Sequence, residues 1–166
     1  MLGELFRFIS GLYFRGKLAY AQAFSSPPCN VPAAFVITAS RGLLTPETVV
    51  TLDGLRELAA NDIDASDPRY RSPLDCDCRS LAERLGGSCD VILLGSIATP
   101  KYVEPLLEIF GERLFFPAEF VGRGDMSRGG LMLRSVDTGK ELVYVPVLNA
   151  VRRGPKPPKL VPLMVR

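Results

Sequence analysis

The chain has 166 residues, 47% of them hydrophobic, and its 20 basic and 18 acidic residues leave a formal net charge of +2. This length and apolar content suit one packed domain and exclude a chain that is disordered throughout. Residues 1–111 hold 10 basic and 13 acidic side chains, whereas residues 112–166 hold 10 basic and 5 acidic ones. The C-terminal third is therefore the part expected to meet an anion.

The sequence predicts no membrane span, because no apolar run approaches the roughly 20 residues that cross a bilayer. The first helix carries Glu4 and is interrupted by Arg7 and Arg15. A secretory leader has a continuous apolar centre instead, so a cytoplasmic location is expected.

Neither a metal nor a cofactor is predicted. The four cysteines are expected to be reduced thiols, and the single residue between Cys76 and Cys78 would point the two thiols about 200° apart on a helix. The chain has no histidine to complete a zinc site. Asp62, Asp64 and Asp67 lack the glycine and terminal glutamate of a calcium loop and are expected to be solvated.

The first 61 residues predict two helices, a loop, a strand and a further helix. Residues 1–24 have apolar side chains at helical spacing, with Gly11 between two helices and Arg7 on the solvent-exposed side. Residues 25–32 contain three prolines and predict a loop. Residues 33–39 read as a strand covered on both faces, and residues 52–61 as a helix.

The remaining chain predicts a helix at 72–85, a buried strand at 90–94, a turn at 95–99, a helix from Pro100 to about 110, and a strand at 113–116. Residues 131–136 and 141–147 flank a turn and predict a β-hairpin. The predicted fold is α/β, a three-layer Rossmann-like sheet with flanking helices and a C-terminal β-hairpin. Residues 1–150 are expected to form one domain, and residues 151–166 an extended, basic, proline-rich tail.

The segment 122–130, Gly-Arg-Gly-Asp-Met-Ser-Arg-Gly-Gly, has the composition of an anion-binding loop. Glycine lets the backbone approach a ligand closely, and arginine suits carboxylate and phosphate groups. The alternative is a glycine-rich connection with solvated arginines. The candidate anion-binding residues here are Arg123, Gly124, Ser127, Arg128 and Gly129.

Two other polar turns are expected at the same sheet edge. Arg41 and Gly42 follow the first predicted strand, and open α/β sheets place ligands at the carboxyl ends of strands. Ser96, Thr99 and Lys101 lie where a strand meets the positive N-terminus of a helix, although helix capping alone can explain Thr99.

Asp125 is the only carboxylate placed to act as a general base or to orient a hydroxyl group. Without histidine it has no evident partner for acid–base chemistry, so enzymatic activity is left open.

Three segments resemble a group of uncharacterised bacterial α/β proteins. Residues 14–21 (Phe-Arg-Gly-Lys-Leu-Ala-Tyr-Ala), 35–50 and 91–106 resemble that group's Phe-Arg-x-x-x-Ala-Tyr-Ala helix, its strand ending in Ser-Ala-Lys-His/Tyr-Gly-Leu, and its strand-to-helix unit with Lys/Arg-Tyr-x-x-Pro/His-Leu. The resemblance covers roughly the first two-thirds of the chain.

The chain is also remotely similar to the core domain of archaeosine synthase and to the uracil-DNA glycosylase superfamily. That similarity implies a three-layer fold and a base, nucleoside or nucleic-acid ligand. The bacterial group's first strand with Ser-Cys-(Ser/Thr)-Lys is absent here, its His/Tyr-Gly pair appears as Arg41-Gly42, and the glycosylase motifs with a catalytic histidine are missing. The resemblance therefore implies a ligand class and assigns no catalytic residue.

Two functions from different classes are consistent with these features. In the first, an α/β protein binds or acts on a phosphate-bearing nucleotide or nucleic acid, with Arg41, Arg123 and Arg128 holding the anion. In the second, a non-enzymatic subunit or adaptor docks on a larger assembly through its N-terminal helix and residues 151–166, whose apolar end, residues 160–165, inserts into a protein partner.

Overall fold

The chain begins with two helices, seen here in a computed structural model that describes residues 1–160. α1 spans Leu2–Ile9 and α2 spans Gly11–Phe24. The helix pair bends where predicted, because Gly11 adopts a φ of 56° and starts a new helical direction. Residues 25–32 form the predicted loop.

The first small sheet is a hairpin. β1 (Val36–Ile37) pairs antiparallel with β2 (Leu43–Leu44), so that Val36 lies opposite Leu44. The strand predicted at 33–39 is thus shortened to two residues, and its end is a hairpin turn. It is not the carboxyl end of a strand in a parallel sheet, because its only partner in the described chain is the antiparallel β2.

Two capped helices follow. α3 spans Leu52–Ala59, and the Thr51 hydroxyl accepts a hydrogen bond from the Gly54 amide at its start. α4 spans Pro68–Leu85 and begins four residues before the predicted start, because the Asp67 carboxylate caps the Arg69 amide. It stops at the predicted Gly86.

The second sheet contains three strands in the order β3-β4-β5. β3 (Val91–Ile92) leads through α5 (Pro100–Phe110) to β4 (Leu114–Pro117), which pairs with it in parallel. β5 (Tyr144–Pro146) pairs antiparallel with β4 on the other side. With its six helices and two small sheets, the described chain is a mixed α/β protein.

The predicted loop at 122–130 and the predicted C-terminal β-hairpin are both wrong. Residues Asp125–Thr138 form one helix, α6, which ends at Gly139 in the left-handed conformation. The apolar run 131–136 suits either structure locally, but Met132 and Ser135 are three residues apart and both buried, which is helical spacing. The packing of α6 on α2 therefore outweighs the low helix propensity of its glycines.

The contact between α2 and α6 is the most extensive between any two of the described elements. It is closest at Gly16 and Gly129, because a Cβ atom on Gly129 would lie 2.7 Å from the Leu12 carbonyl oxygen and 2.8 Å from the Tyr13 Cα. Tyr20 of α2 also hydrogen-bonds to Tyr144 of β5, with 2.7 Å between their hydroxyl oxygens. The N-terminal helix pair is thereby held against the second sheet, and a hydrophobic core cluster extends from Tyr20 to Val147.

Residues 151–160 have no regular secondary structure. They lie against the start of α6, where Leu160 contacts Gly130 and the Pro158 carbonyl accepts a hydrogen bond from Arg123. The segment predicted to dock on a protein partner is 160–165. Of this segment, residues 161–165 lie outside the described residues. No helix within residues 1–160 is long and apolar enough to span a membrane.

Candidate functional site

Polar side chains from three helices meet just beyond β3, and we call this group the β3 cluster. α2 contributes two of its members, α6 two more and α5 the fifth. The Tyr13 hydroxyl donates a hydrogen bond to the carbonyl of Leu94, two residues after β3, over 3.2 Å. The members of the cluster are Tyr13, Lys17, Tyr102, Asp125 and Arg128.

The crossing of α2 and α6 creates this arrangement. Tyr13 and Lys17 are four residues apart and share one face of α2, while Asp125 and Arg128 are three apart and share one face of α6. Because Gly16 and Gly129 let the two helices approach closely, these faces are brought together. The Lys17 Nζ lies 4.0 Å from the centre of the Tyr13 ring.

Lys17 is the unusual member of the cluster. Its side chain is only partly exposed, and it forms no ion pair with any residue in the range 1–160. Burial lowers the pKa of Lys17 from 10.5 to about 8, with the nearby Asp125 charge opposing the shift and the Arg128 charge adding to it. Lys17 is therefore a cation that gains stability from any anion that reaches it.

Arg128, in contrast, is satisfied within the protein. It is 7% exposed, and its Nε and Nη2 donate to the Phe120 carbonyl over 3.2 and 3.1 Å. Its Nη1 lies 3.5 Å from Asp125 Oδ1. The guanidinium therefore ties α6 to the turn before it and contributes positive charge to the cluster rather than a free pair of donors.

The two tyrosines keep their protons at neutral pH. Burial raises the pKa of Tyr13, although Arg128 opposes this, and burial and the Asp125 charge raise the pKa of Tyr102. The Tyr13 proton is used on the Leu94 carbonyl. Within the described chain the Tyr102 hydroxyl has no hydrogen-bond partner, so it is available as a donor.

The predicted residues Ser96, Thr99 and Lys101 lie between β3 and the first turn of α5. Thr99 is the N-cap residue of α5, but its side chain makes no capping hydrogen bond, and Pro100 follows at the first helical position. The Ser96 hydroxyl accepts from the Ala98 amide over 3.3 Å. Lys101 Nζ lies 5.1 Å from the centre of the Tyr102 ring. Lys101 therefore lies next to Tyr102, the member of the β3 cluster that α5 contributes.

Arg41 and Gly42 do not join this edge. Arg41 forms an ion pair with Glu57 of α3 through Nε and Nη2, and Ser40 donates to the same carboxylate. Gly42 has a φ of 57° and sits against Asp77 and the Pro73 carbonyl of α4, which leave no room for a side chain. The expectation that this turn shares a sheet edge with the others is wrong, since β1 and β2 form a separate sheet.

The other residues predicted around α6 have structural positions. Arg123 Nη1 donates to the Ser127 hydroxyl over 3.2 Å and to the Pro158 carbonyl over 3.3 Å. Gly124 is the exposed N-cap residue of α6, and Gly129 is the point of contact with α2. Asp125, the candidate base, has a side chain that is 65% exposed and pairs with Arg128.

Sequence reasoning missed Lys17, Tyr13 and Tyr102. Lys17 was given no role in the site, but in the structure α6 packs on α2 beside it. The available signal was Gly16, because a glycine in the middle of a helix next to a charged residue marks a place where another backbone comes close. Nothing local indicates that the other backbone belongs to α6.

Comparisons of the chain with family models, with curated proteins and with solved structures gave no match.

Proposed function

We propose that the protein binds a phosphate-bearing nucleotide or nucleic acid at the β3 cluster. The observation that carries this proposal is Lys17, a partly buried ammonium group that lies over the Tyr13 ring and forms no ion pair within residues 1–160. Partly buried charges are normally paired, because leaving one unpaired costs free energy. A ligand phosphate would supply the missing negative charge.

The surroundings of Lys17 suit a phosphate in three further ways. The Tyr102 hydroxyl is a free donor, and Thr99 keeps its hydroxyl unused at the start of α5. The N-terminus of a helix attracts anions through its free amide groups and its dipole. The parallel β3–β4 pair joined by α5 is also the unit from which Rossmann-like sheets are built, and such sheets bind ligands at this edge. We also propose, as part of this function, that the fold is a three-layer Rossmann-like arrangement.

Asp125 has a supporting role in this proposal. Its exposed carboxylate cannot contact a phosphate favourably, but it accepts a hydrogen bond from a sugar hydroxyl well. A nucleotide offers both groups a short distance apart, with the phosphate toward Lys17 and the sugar toward Asp125. The proposal is for binding, and it assigns no bond-breaking step.

The test compares thymidine 5′-monophosphate binding by the wild-type protein and Lys17→Met, measured by isothermal titration calorimetry. We expect Lys17→Met to bind at least about ten-fold more weakly, which corresponds to about 1.4 kcal/mol. Lys140→Met removes the same charge at the exposed C-terminal end of α6 and should bind like the wild type. Equal affinity of Lys17→Met and the wild type would disprove the proposal.

A second candidate function, a subunit or adaptor, is favoured by one observation on α1. Phe8 is 89% exposed and Ile9 65% exposed at the end of this helix, and adjacent exposed apolar side chains mark interaction surfaces. The described part of the tail instead contacts its own chain, so α1 is the better docking element. A Phe8→Ser/Ile9→Ser variant should lose a salt-insensitive partner in co-purification, and retention of every partner would exclude this function.

A further inference from the structure

We propose that the ligand of the β3 cluster is an extended single strand of nucleic acid, which also contacts a row of cations on residues 152–159. This inference rests on the proposed function and narrows the class of ligand. A free mononucleotide contacts only the β3 cluster, whereas a strand also contacts the tail. Three features support it: the fixed course of the tail, the charge that the tail carries, and its position relative to the cluster.

The described tail follows a fixed course along α6. Gly122 adopts a φ of 73°, and a Cβ atom there would lie only 2.9 Å from the Pro155 carbonyl carbon. A Cβ atom on Gly154 would likewise lie 2.8 Å from Val121 Cγ1. The hydrogen bond from Arg123 to the Pro158 carbonyl adds a polar attachment. The tail and the segment before α6 therefore approach each other as closely as glycine permits, as expected for a docked segment.

The docked tail presents positive charge only. All four of its cations, Arg152, Arg153, Lys156 and Lys159, are exposed, and none forms an ion pair with a residue in the range 1–160. The last acidic residue in the sequence is Glu141. No carboxylate of the tail therefore competes with an anionic ligand for these side chains.

The spacing of the cations suits a linear polyanion. Pro155, Pro157 and Pro158 restrict the backbone to extended conformations close to polyproline II, which has three residues per turn and a rise of about 3.1 Å per residue. Residues 153, 156 and 159 are three apart, so in that conformation they project to one side at intervals of about 9 Å. A row of this kind can follow a phosphate backbone.

The tail and the cluster lie on opposite sides of the same helix turn. Successive residues of an α-helix are rotated by about 100°. Asp125 and Arg128 therefore face the cluster, whereas Ser127 and Gly130 face away from it, toward Arg123 and Leu160. A strand that leaves Lys17 and crosses the N-terminus of α6 reaches the row of cations, and the amide groups of that helix end favour a phosphate on the way.

A single strand fits this path better than a duplex. Lys17 is only partly exposed where α2 packs on α6, so a phosphate must come close to the helix pair to reach it. A flexible strand can bend one phosphate toward this position while its neighbours follow the tail. The stiff double helix holds its phosphates on a smooth outer surface.

The experiment uses a fluorescein-labelled single-stranded oligothymidylate of about twelve nucleotides, with fluorescence anisotropy read between about 50 and 200 mM salt. The test variant is Arg153→Gln/Lys156→Gln/Lys159→Gln. The matched control is Arg7→Gln/Arg79→Gln/Lys140→Gln, which removes the same charge from exposed positions elsewhere. Thymidine 5′-monophosphate binding is measured for both variants by calorimetry.

We expect the tail variant to bind the oligonucleotide about ten-fold more weakly or worse, and its slope of log affinity against log salt to fall by about 2, since each single-strand phosphate contact contributes about 0.7. Its affinity for the mononucleotide should not change. The control variant should keep most of the oligonucleotide affinity and the wild-type slope.

Other outcomes overturn the inference, and they separate it from the proposed function. If the wild type binds the mononucleotide but holds the oligonucleotide no more tightly, or if the tail variant binds the oligonucleotide like the control, the strand proposal fails and the proposed function stands. Equal affinity for a duplex of the same length also refutes the single strand. If neither probe binds, or if Lys17→Met keeps both, the proposed function fails with it.

Discussion

Two arginine- and glycine-rich segments of this chain have similar sequences and different structural roles. The turn at 40–42 connects two antiparallel strands, and its Arg41 is neutralised by Glu57. The segment at 122–130 begins α6, and its arginines bind the Phe120 and Pro158 carbonyls. In both segments the arginine side chains bond to groups of the protein itself. Lys17, in a stretch with no turn-like composition, is by contrast a partly buried cation that forms no ion pair within residues 1–160.

The difference shows that the supply of partners, rather than the type of cation, decides where a ligand can bind. Arg41 lies close to an exposed carboxylate, whereas Lys17 lies near a tyrosine ring, a satisfied arginine and the largely exposed Asp125. Glycine also serves different purposes in the two segments. Gly42 permits a turn with positive φ, and Gly129 permits close contact between helices.

The largest effect on stability is expected from Gly42→Ala. The left-handed conformation costs alanine about 1–2 kcal/mol, and the new methyl group would displace Asp77, whose carboxylate accepts a hydrogen bond from the Leu43 amide over 2.9 Å. The free energy of unfolding, measured with urea, should fall by about 3 kcal/mol. Gly139→Ala has a similar φ of 64° but no atom within 4 Å, and should lose only about 1 kcal/mol. Equal losses would show that Asp77 and Pro73 do not confine the turn.

The neighbouring glycines of α6 should respond in opposite directions. Gly129→Ala should lower the free energy of unfolding by about 2 kcal/mol, because its methyl group meets the backbone of α2. Gly130→Ala should raise it by about 0.5 kcal/mol, since alanine favours a helix interior and the nearest atom is the Leu160 Cδ1 at 3.4 Å. Chemical denaturation of both variants checks this, and a loss in both would contradict the proposed crossing point.

The stability of Lys17→Met relative to the wild type should depend on pH, and this dependence tests whether Lys17 is an unpaired, partly buried cation. The pKa of Lys17 is about 8 in the folded protein and ordinarily 10.5, so between these values the unfolded chain binds the proton that the folded chain has lost. Wild-type stability therefore gains from Lys17 as pH rises through this window. Without a ligand, Lys17→Met should be more stable than the wild type by about 1 kcal/mol below pH 8, and this advantage should vanish by pH 10.5.

Unfolding curves of both proteins at pH 7 and pH 10 measure this difference. A constant difference between the two pH values would mean that burial does not perturb Lys17. The titration of Lys17 also sets the direction in which ligand affinity changes with pH, because a neutral lysine attracts no phosphate. Affinity for thymidine 5′-monophosphate should therefore fall as pH rises above about 8 in the wild type.

The smallest effect is expected from Arg41→Gln. The ion pair of Arg41 with Glu57 is exposed, with side-chain exposures of 41% and 48%, and pairs of this kind contribute little to stability. The unfolding midpoint should match that of Arg69→Gln, which breaks a comparable pair with Asp67. Calorimetry should also give unchanged affinity for thymidine 5′-monophosphate. A marked loss of that affinity would show that Arg41 takes part in ligand binding.

Local sequence signals predicted the elements that have their own start and stop residues. The first two helices, α3, α4, α5 and the strands β3 and β4 have such signals, including Gly11, Pro100 and Gly86. Apolar periodicity and the properties of proline and glycine suffice there, because each acts within a few residues. These elements were correctly identified, although β3 is shorter than predicted and β4 is shifted by one residue.

The start of α6 and the β3 cluster were not predictable in this way. Gly124 to Gly130 has a poor helix propensity, and α6 exists because Met132 and Ser135 are buried and Gly129 fits against α2. Gly16 and Gly129 are more than 100 residues apart, so no local pattern relates them. The cluster depends on that contact. For this reason local signals placed Ser96, Thr99 and Lys101 between β3 and the start of α5, but no local pattern indicated Lys17.

The packing of α2 on α6 also has a consequence for synthesis on the ribosome. α2 ends at Phe24 and α6 begins at Asp125, so roughly 100 residues must be translated before the partner helix exists. At about 5–20 residues per second, this takes about 5–20 seconds. During that time the face of α2 that carries Tyr20 has no native surface on α6 or β5 to cover it. The nascent chain therefore offers chaperones a defined early target at its N-terminal end.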